Sequence, residues 1–333
     1  MRQLILKSFL TLFSFAIIAP PALAQEPRQR LLSEEPCEPE GVTSVAFSPD
    51  GRLLLTGGPA WGIRLFDFET GKELRRFQDR SGYPKFAFSP DGRRAISYGF
   101  FKTIYLWDVE SGSEIRSLPG HEGGTSRAYF TPDGRQIISS GEMDGRIRLL
   151  DAESGREIQS FRAAEKEGYD QLEIYQGGRR ALVTTRDGNA CLWDTQAARK
   201  VRCFQIRPGH EWLDLFNSHL VLTDRETKDL RLLDPESNQE RPRPSGLKGY
   251  VQTISADGRL AVVGNDPSEY VVGPVNPDSG QEATRIEFSE GDGLPTFVFT
   301  PDLQQLVGAC AETKLCVWDA KSGKRLRYFQ TGN

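Results

Sequence analysis

Histidine is scarce in this chain, with three in 333 residues, and the five cysteines include no Cys-x2-Cys pair. Zinc sites draw on clustered Cys and His in such pairs, so nothing here points to a metal-organised module. Gly-x-Ser-x-Gly is absent, and with it the nucleophile elbow of a serine hydrolase. A Gly-rich phosphate loop opening a helix is also missing, because no convincing helical periodicity follows the first two dozen residues. The longest apolar run is about a dozen residues, short of the roughly 20 that a membrane-spanning helix needs. Basic residues do not dominate: 42 Lys and Arg face 46 Asp and Glu, for a formal net charge of −4. That balance argues against nucleic acid and anionic membranes as partners, since both reward basic patches.

What the chain does hold is repetition of one stretch, Phe88 to Gly112. Ser89-Pro90-Asp91-Gly92 forms a type I turn, with Pro fixing φ at the second position and Gly closing the turn without Cβ strain. Strands are expected over Arg94 to Tyr98 and Thr103 to Trp107, then over Ser113 to Leu118 beyond the turn Glu110-Ser111-Gly112. With the run closed by Phe88, this is a four-stranded antiparallel meander. It cannot bury its own faces and needs a neighbour on each side.

The neighbours are further copies. Asp108 marks the end of the third strand, and Asp67, Asp151, Asp194, Asp234, Asn276 and Asp319 fall in the same register. The first corner recurs as Phe47 to Gly51, Phe130 to Gly134, Ser255 to Gly258 and Phe299 to Asp302. It decays at Tyr175 to Gly178 and at Phe216 to His219. Trp-Asp stands at Trp107-Asp108, Trp193-Asp194 and Trp318-Asp319, and Gly-His at Gly120-His121 and Gly209-His210.

A period of about 40–45 residues with Gly-His and Trp-Asp punctuation resembles the WD40-repeat family. The resemblance covers about residues 42 to 330. It implies an all-β fold, a seven-bladed β-propeller of four-stranded antiparallel blades, with approximate bounds 42–80, 81–120, 121–164, 165–207, 208–246, 247–290 and 291–333. The chain departs from the family in one respect. A His, a Ser or Thr, an Asp and a Trp often share a buried hydrogen-bonded network in these blades, and no blade here has all four. The third carries His121, Ser139 and Asp144 but Leu150; the fourth carries Thr184, Asp187 and Trp193 but no His. Blades four to six are the most worn.

Residues 1–24 read as a signal peptide: Arg2 and Lys7, an apolar stretch from Ser8 to Ala19, and Ala22-Leu23-Ala24 as a small-residue cleavage site. Export to the periplasm or the extracellular space is the expectation, with no membrane span after cleavage. Residues 25–41, with Pro27, Pro36 and Pro39, form a linker. The last repeat is expected to own its fourth strand, Lys324 to Gln330, so closure by an N-terminal strand is not required.

An oxidising compartment permits disulfides. Cys191 and Cys203 flank a short turn and fall opposite each other on neighbouring strands, as a disulfide or as two free thiols. Cys37, Cys310 and Cys316 have no assigned connectivity.

No catalytic or cofactor residues are assigned. His121, His210 and His219 are accounted for by repeat register or loop position, and turn aspartates recur in every repeat. The segments Asp67 to Lys72 and Asp319 to Lys324 are similar to the hairpins of quinone-dependent propeller dehydrogenases. Arg75 and Arg327 nevertheless stand where those proteins carry Trp. In the WD40 geometry, partners bind the face built from loops between second and third strands and between blades. The candidates there are Trp61, Tyr98, Phe100, Phe101, Arg146, Arg186, Trp212, Arg225 and Tyr250, a composition of interaction hot spots. The reading is a non-catalytic scaffold for a protein or peptide, itself a monomeric propeller or a member of an assembly. A cofactor- or small-molecule-binding propeller enzyme and a structural envelope-assembly module stand as alternatives.

Overall fold

The computed structural model describes residues 42–58, 62–78, 83–141, 143–163, 169–175, 178–185, 189–205, 211–216, 219–224, 227–228, 230–233, 237, 247, 249–255, 259–266, 269–274, 284–286, 297–311 and 314–331. The leader, the linker and Cys37 lie outside them. Among the described residues there is no helix, and every sheet is built from strands consecutive in the chain. The second sheet, from the organising stretch, consists of Lys85–Phe88, Arg94–Tyr98, Thr103–Asp108 and Glu114–Pro119, paired antiparallel in that order.

The sheets stand side by side around a ring. Ser44–Phe47 touches Lys85–Phe88, which touches Arg127–Phe130, and Phe297–Phe299 returns to Ser44–Phe47. Apolar clusters fill the gaps between successive sheets from the first to the fourth and from the fifth to the seventh, and the seventh sheet meets the first through Leu54, Phe66, Val317 and Phe329. The fold is a β-propeller of four-stranded antiparallel blades. Among the described residues six such blades are present rather than the seven expected. The fifth repeat contributes a sheet of three strands, Glu211–Phe216, His219–Asp224 and Leu230–Leu233. The stretch after Leu233, where a fourth strand of this repeat would fall, lies mostly outside the described residues.

The corners form as the turn chemistry dictates. Gly92 takes φ +70° and its N–H reaches Ser89 O at 2.9 Å. Ser89 Oγ donates to Asp91 Oδ1 at 2.6 Å and accepts from Arg94 N at 2.9 Å. Ser48, Thr131 and Thr300 repeat these bonds with Asp50, Asp133 and Asp302. Successive corners touch: Gly51 abuts Pro301, Gly92 abuts Pro49, and Gly134 abuts Pro90.

The hairpin aspartates do the same work at the outer turn. Asp67, Asp108, Asp151 and Asp319 each accept from the hydroxyl and the N–H of the Thr or Ser three residues on. Those hydroxyls, then the backbone N–H groups, hold the four carboxyls below the ordinary carboxylate range. The corner hydroxyls do likewise for Asp50, Asp91 and Asp133. At Asp194, where Ala197 has no hydroxyl, the Ala197 N–H is the main cause. Each of these groups has a folded pKa below its unfolded one. Its stabilisation is therefore complete above the unfolded value, about 3.9, and is lost as pH falls through the folded value. The melting temperature should accordingly be flat near neutrality and fall progressively below about pH 5. A melting temperature unchanged down to about pH 2.5 would show that the repeated turn bonds add nothing to stability.

Arginines clasp one blade to the next. Arg75, on the outer strand of the first sheet, donates from Nε to Glu110 O of the second sheet's hairpin at 2.9 Å. Arg116 donates to Ser154 O of the third at 2.8 Å, and Arg327 to Phe68 O of the first at 2.7 Å. Arg75 and Arg327 are the positions at which a quinone-dependent propeller would place Trp; here they cap the neighbouring hairpin. Arg327 also lies over the Phe68 ring, 5.0 Å from its centroid.

Candidate functional site

Eight large hydrophobic side chains are exposed among the described residues. Five of them, Ile115, Ile158, Val201, Leu326 and Tyr328, sit on outermost strands of separate blades, apart from the last pair. The other three belong to loops on one face: Phe100 (42% exposed), Phe101 (58%) and Met143 (68%). Phe100 and Phe101 turn between the second and third strands of the second sheet, and Met143 occupies the matching loop of the third.

The connection 120–126 between these two sheets holds the loops in place. Gly120 N donates to Lys102 O at 2.9 Å and Thr125 N to Gly99 O at 2.8 Å, pinning both ends of the Phe100-Phe101 turn. Gly124 adopts φ +102°, and a Cβ there would stand 2.8 Å from Gly99 O and from Phe100 Cα. Only glycine permits that approach. Gly123, also at positive φ, lies against the Met143 side chain. Tyr83 meets Phe100 edge to face, ring centroids 5.5 Å apart.

Beneath this surface is a fully enclosed polar group. His121 Nδ1 donates to Asp144 Oδ2 at 3.0 Å, and His121 Nε2 lies 2.9 Å from Ser139 Oγ. Asp144 Oδ1 accepts from Arg146 N at 2.9 Å. Burial pushes the Asp144 carboxyl up, but the His121 hydrogen bond and charge, with backbone N–H groups, more than offset it and leave its pKa low. The chemistry is that of a Ser-His-Asp triad, yet Ser139 and His121 are wholly buried. Instead of meeting a substrate, the group ties the connection bearing His121 to the loop bearing Asp144, and so fixes Phe100 and Met143 relative to each other.

Of the described candidates, Tyr98 is buried, and Arg146 and Tyr250 are partly covered. Tyr98 is 4% exposed and packs between the second and third sheets with Ile104, Leu118 and Ala128. Arg146 is half-buried and donates to Ser160 Oγ at 3.1 Å, which turns it toward the outer strand. Tyr250 is half-buried; its hydroxyl accepts from Lys228 Nζ at 2.7 Å and the same ammonium lies over its ring. Phe100 and Phe101 are both exposed in their loop. Trp61, Arg186 and Arg225 lie outside the described residues, as does the side chain of Trp212, whose backbone is in the strand Glu211–Phe216. Met143 and Tyr83 are not among the sequence candidates; Gly123-Gly124, one residue beyond Gly120-His121, is the signal that marks where loops approach closely.

In the second sheet, Trp107 Nε1 donates to Ser97 Oγ at 3.0 Å, a pair buried in the blade. Disulfides join Cys191 to Cys203 and Cys310 to Cys316. No cluster of three or more His, Cys, Asp or Glu suited to a metal ion occurs among the described residues, nor any helix long and apolar enough to cross a membrane.

The buried His121-Ser139-Asp144 bonds and the Trp107-Ser97 bond are two halves of the network expected of WD40 blades, divided between neighbours. The family described as WD domain, G-beta repeat matches residues 30–67 and 112–151. Those two stretches are similar to WD40 repeats. The second WD40 match spans His121, Ser139 and Asp144 together, the most complete of the polar networks. No curated protein matches the chain.

Proposed function

We propose that this WD40 propeller is a non-catalytic scaffold that seats a protein or peptide on the loop face, with Phe100, Phe101 and Met143 as its anchors. The observation that carries the reading is their adjacency and exposure on loops held by backbone bonds, Gly124 and the enclosed His121 group. Rigid exposed apolar anchors suit a binding surface, because little side-chain and loop freedom remains to be lost on association. The three-stranded sheet is read as the fifth member of a seven-membered ring, supported by its place in the chain and its apolar packing on the sixth sheet. Export to the periplasm or the extracellular space is part of the proposal, supported by the leader-like residues 1–24 and by two disulfides.

The test is affinity capture from an envelope extract with residues 25–333, beside the double variant Phe100→Ala/Phe101→Ala, followed by titration of the captured partner in pure form. Both residues are exposed, so the variant should fold and melt like the parent. Hot-spot anchors are worth about 2 kcal/mol or more each, so affinity should fall at least 30-fold. A partner held equally well by the variant would remove this surface from the reading.

A further inference from the structure

The two disulfides differ in what can reach them. Cys310 and Cys316 are each 1% exposed and belong to the apolar cluster between the sixth and seventh sheets. Cys203 is exposed, and Cys191 half-buried. Cys191 in Asn189–Asp194 pairs directly with Cys203 in Arg199–Gln205, the outermost strand of the fourth sheet. In the first and third sheets the same register position holds Arg64 and Arg148, whose guanidinium groups reach Glu73 and Glu157 on the outer strand. The fourth sheet thus places a disulfide where its relatives place an ion pair at the blade's rim. The outer strand, Arg-Lys-Val-Arg-Cys-Phe-Gln, supplies three cations and no carboxylate. Cationic surroundings stabilise thiolates, and exchange requires access to the sulfur under attack.

We propose that Cys191–Cys203 is a thiol-disulfide exchange site for a protein dithiol, with Cys203 Sγ the sulfur attacked. A thiolate of the dithiol forms an S–S bond to Cys203 Sγ as the Cys203–Cys191 bond breaks, and Cys191 Sγ leaves as a thiolate. The second thiol of the dithiol, as its thiolate, then attacks its own linked sulfur and releases the Cys203 thiolate. Two electrons pass to the pair, the dithiol becomes a disulfide, and solvent protons complete the thiols. Reduction leaves the strand ladder in place and removes the tie between third and outer strands. It also lies beside a reporter: Trp193, two residues from Cys191, stacks on Phe161 of the third sheet at 5.7 Å and carries Lys200 over its ring.

The experiment reduces the full chain under native conditions, once with dithiothreitol and once with a Cys-x2-Cys oxidoreductase. Samples are quenched by alkylation and mapped by peptide mass spectrometry. Cys191 and Cys203 should label about 100-fold sooner than Cys310 and Cys316, before the fold is lost and with a change in Trp193 fluorescence. An oxidoreductase lacking its resolving cysteine should remain linked to Cys203. Equal labelling rates, labelling only in step with unfolding, or a link at Cys191 would each overturn the proposal. The variant Cys191→Ser/Cys203→Ser should fold and keep slow labelling at Cys310 and Cys316. A failure to fold would make the bond purely structural and also overturn it.

Discussion

Replacement of Trp318 by alanine is expected to destabilise the propeller by about 3–5 kcal/mol, seen as a lower denaturation midpoint in urea at an unchanged slope. Among the described residues Trp318 is the largest side chain with no exposure, and it stands next to last in the third strand of the last sheet, Lys314–Asp319. Its ring lies 5.6 Å from Phe297, which in turn meets Tyr270 of the sixth sheet at 5.2 Å. Val262, Leu306 and the Cys310–Cys316 bond complete the same cluster. Alanine there would leave a void walled by two β-sheets and a disulfide, which have little freedom to collapse into it. In a ring of repeats each interface supports its neighbours, so the loss should appear in global unfolding. A shift below about 1 kcal/mol would show that the last blade repacks freely. Trp193 offers the contrast: its buried Nε1 has no hydrogen-bond partner. Trp193→Phe should therefore cost far less, because it leaves no polar partner behind.

The parts legible in the sequence are those whose bonds are local. Ser89, Asp91 and Gly92 make their corner within six residues, and Asp108 makes its hairpin with Ser111, so period and turn chemistry reveal both. The blade period leads to the fold class for the same reason. The surface was less legible, and Tyr98 shows why. In a sheet with one wet face, alternation separates core from surface. A middle strand of a blade has neighbours on both faces, and Arg94–Tyr98 is buried from its second residue to its last. Alternation there carries no information about exposure. The arginine clasps were hidden for another reason: their acceptors are backbone carbonyls some 35 residues away for Arg75 and 259 for Arg327, and no residue type marks a carbonyl.

His121→Ala is expected to cost about 3–5 kcal/mol, because it leaves the Asp144 carboxylate buried without its hydrogen-bonding partner. Ser139→Ala removes one hydroxyl from the same group and should cost only about 1 kcal/mol. The pH dependence separates the two. In the parent protein Asp144 titrates below its unfolded value, so its contribution is complete above about pH 4 and fades as pH falls through the folded value. Without His121, burial acts on Asp144 with less opposition, and its folded pKa should rise above the unfolded one. The sign of the linkage then reverses: the variant's Asp144 favours folding when protonated, and that advantage is lost as pH rises through the raised value. The stability gap between parent and His121→Ala should therefore be wider at pH 7 than near pH 4. Equal gaps at the two pH values, or a cost no larger than that of Ser139→Ala, would mean that the carboxylate finds solvent once the imidazole is gone. The same variant bears on the loop face. His121 and Asp144 stand under the connection carrying Gly123 and Gly124 and beside Met143, so partner affinity should fall with His121→Ala although neither residue reaches the surface. Loss of affinity at a site the mutation does not touch would show that the enclosed group orders the anchors above it.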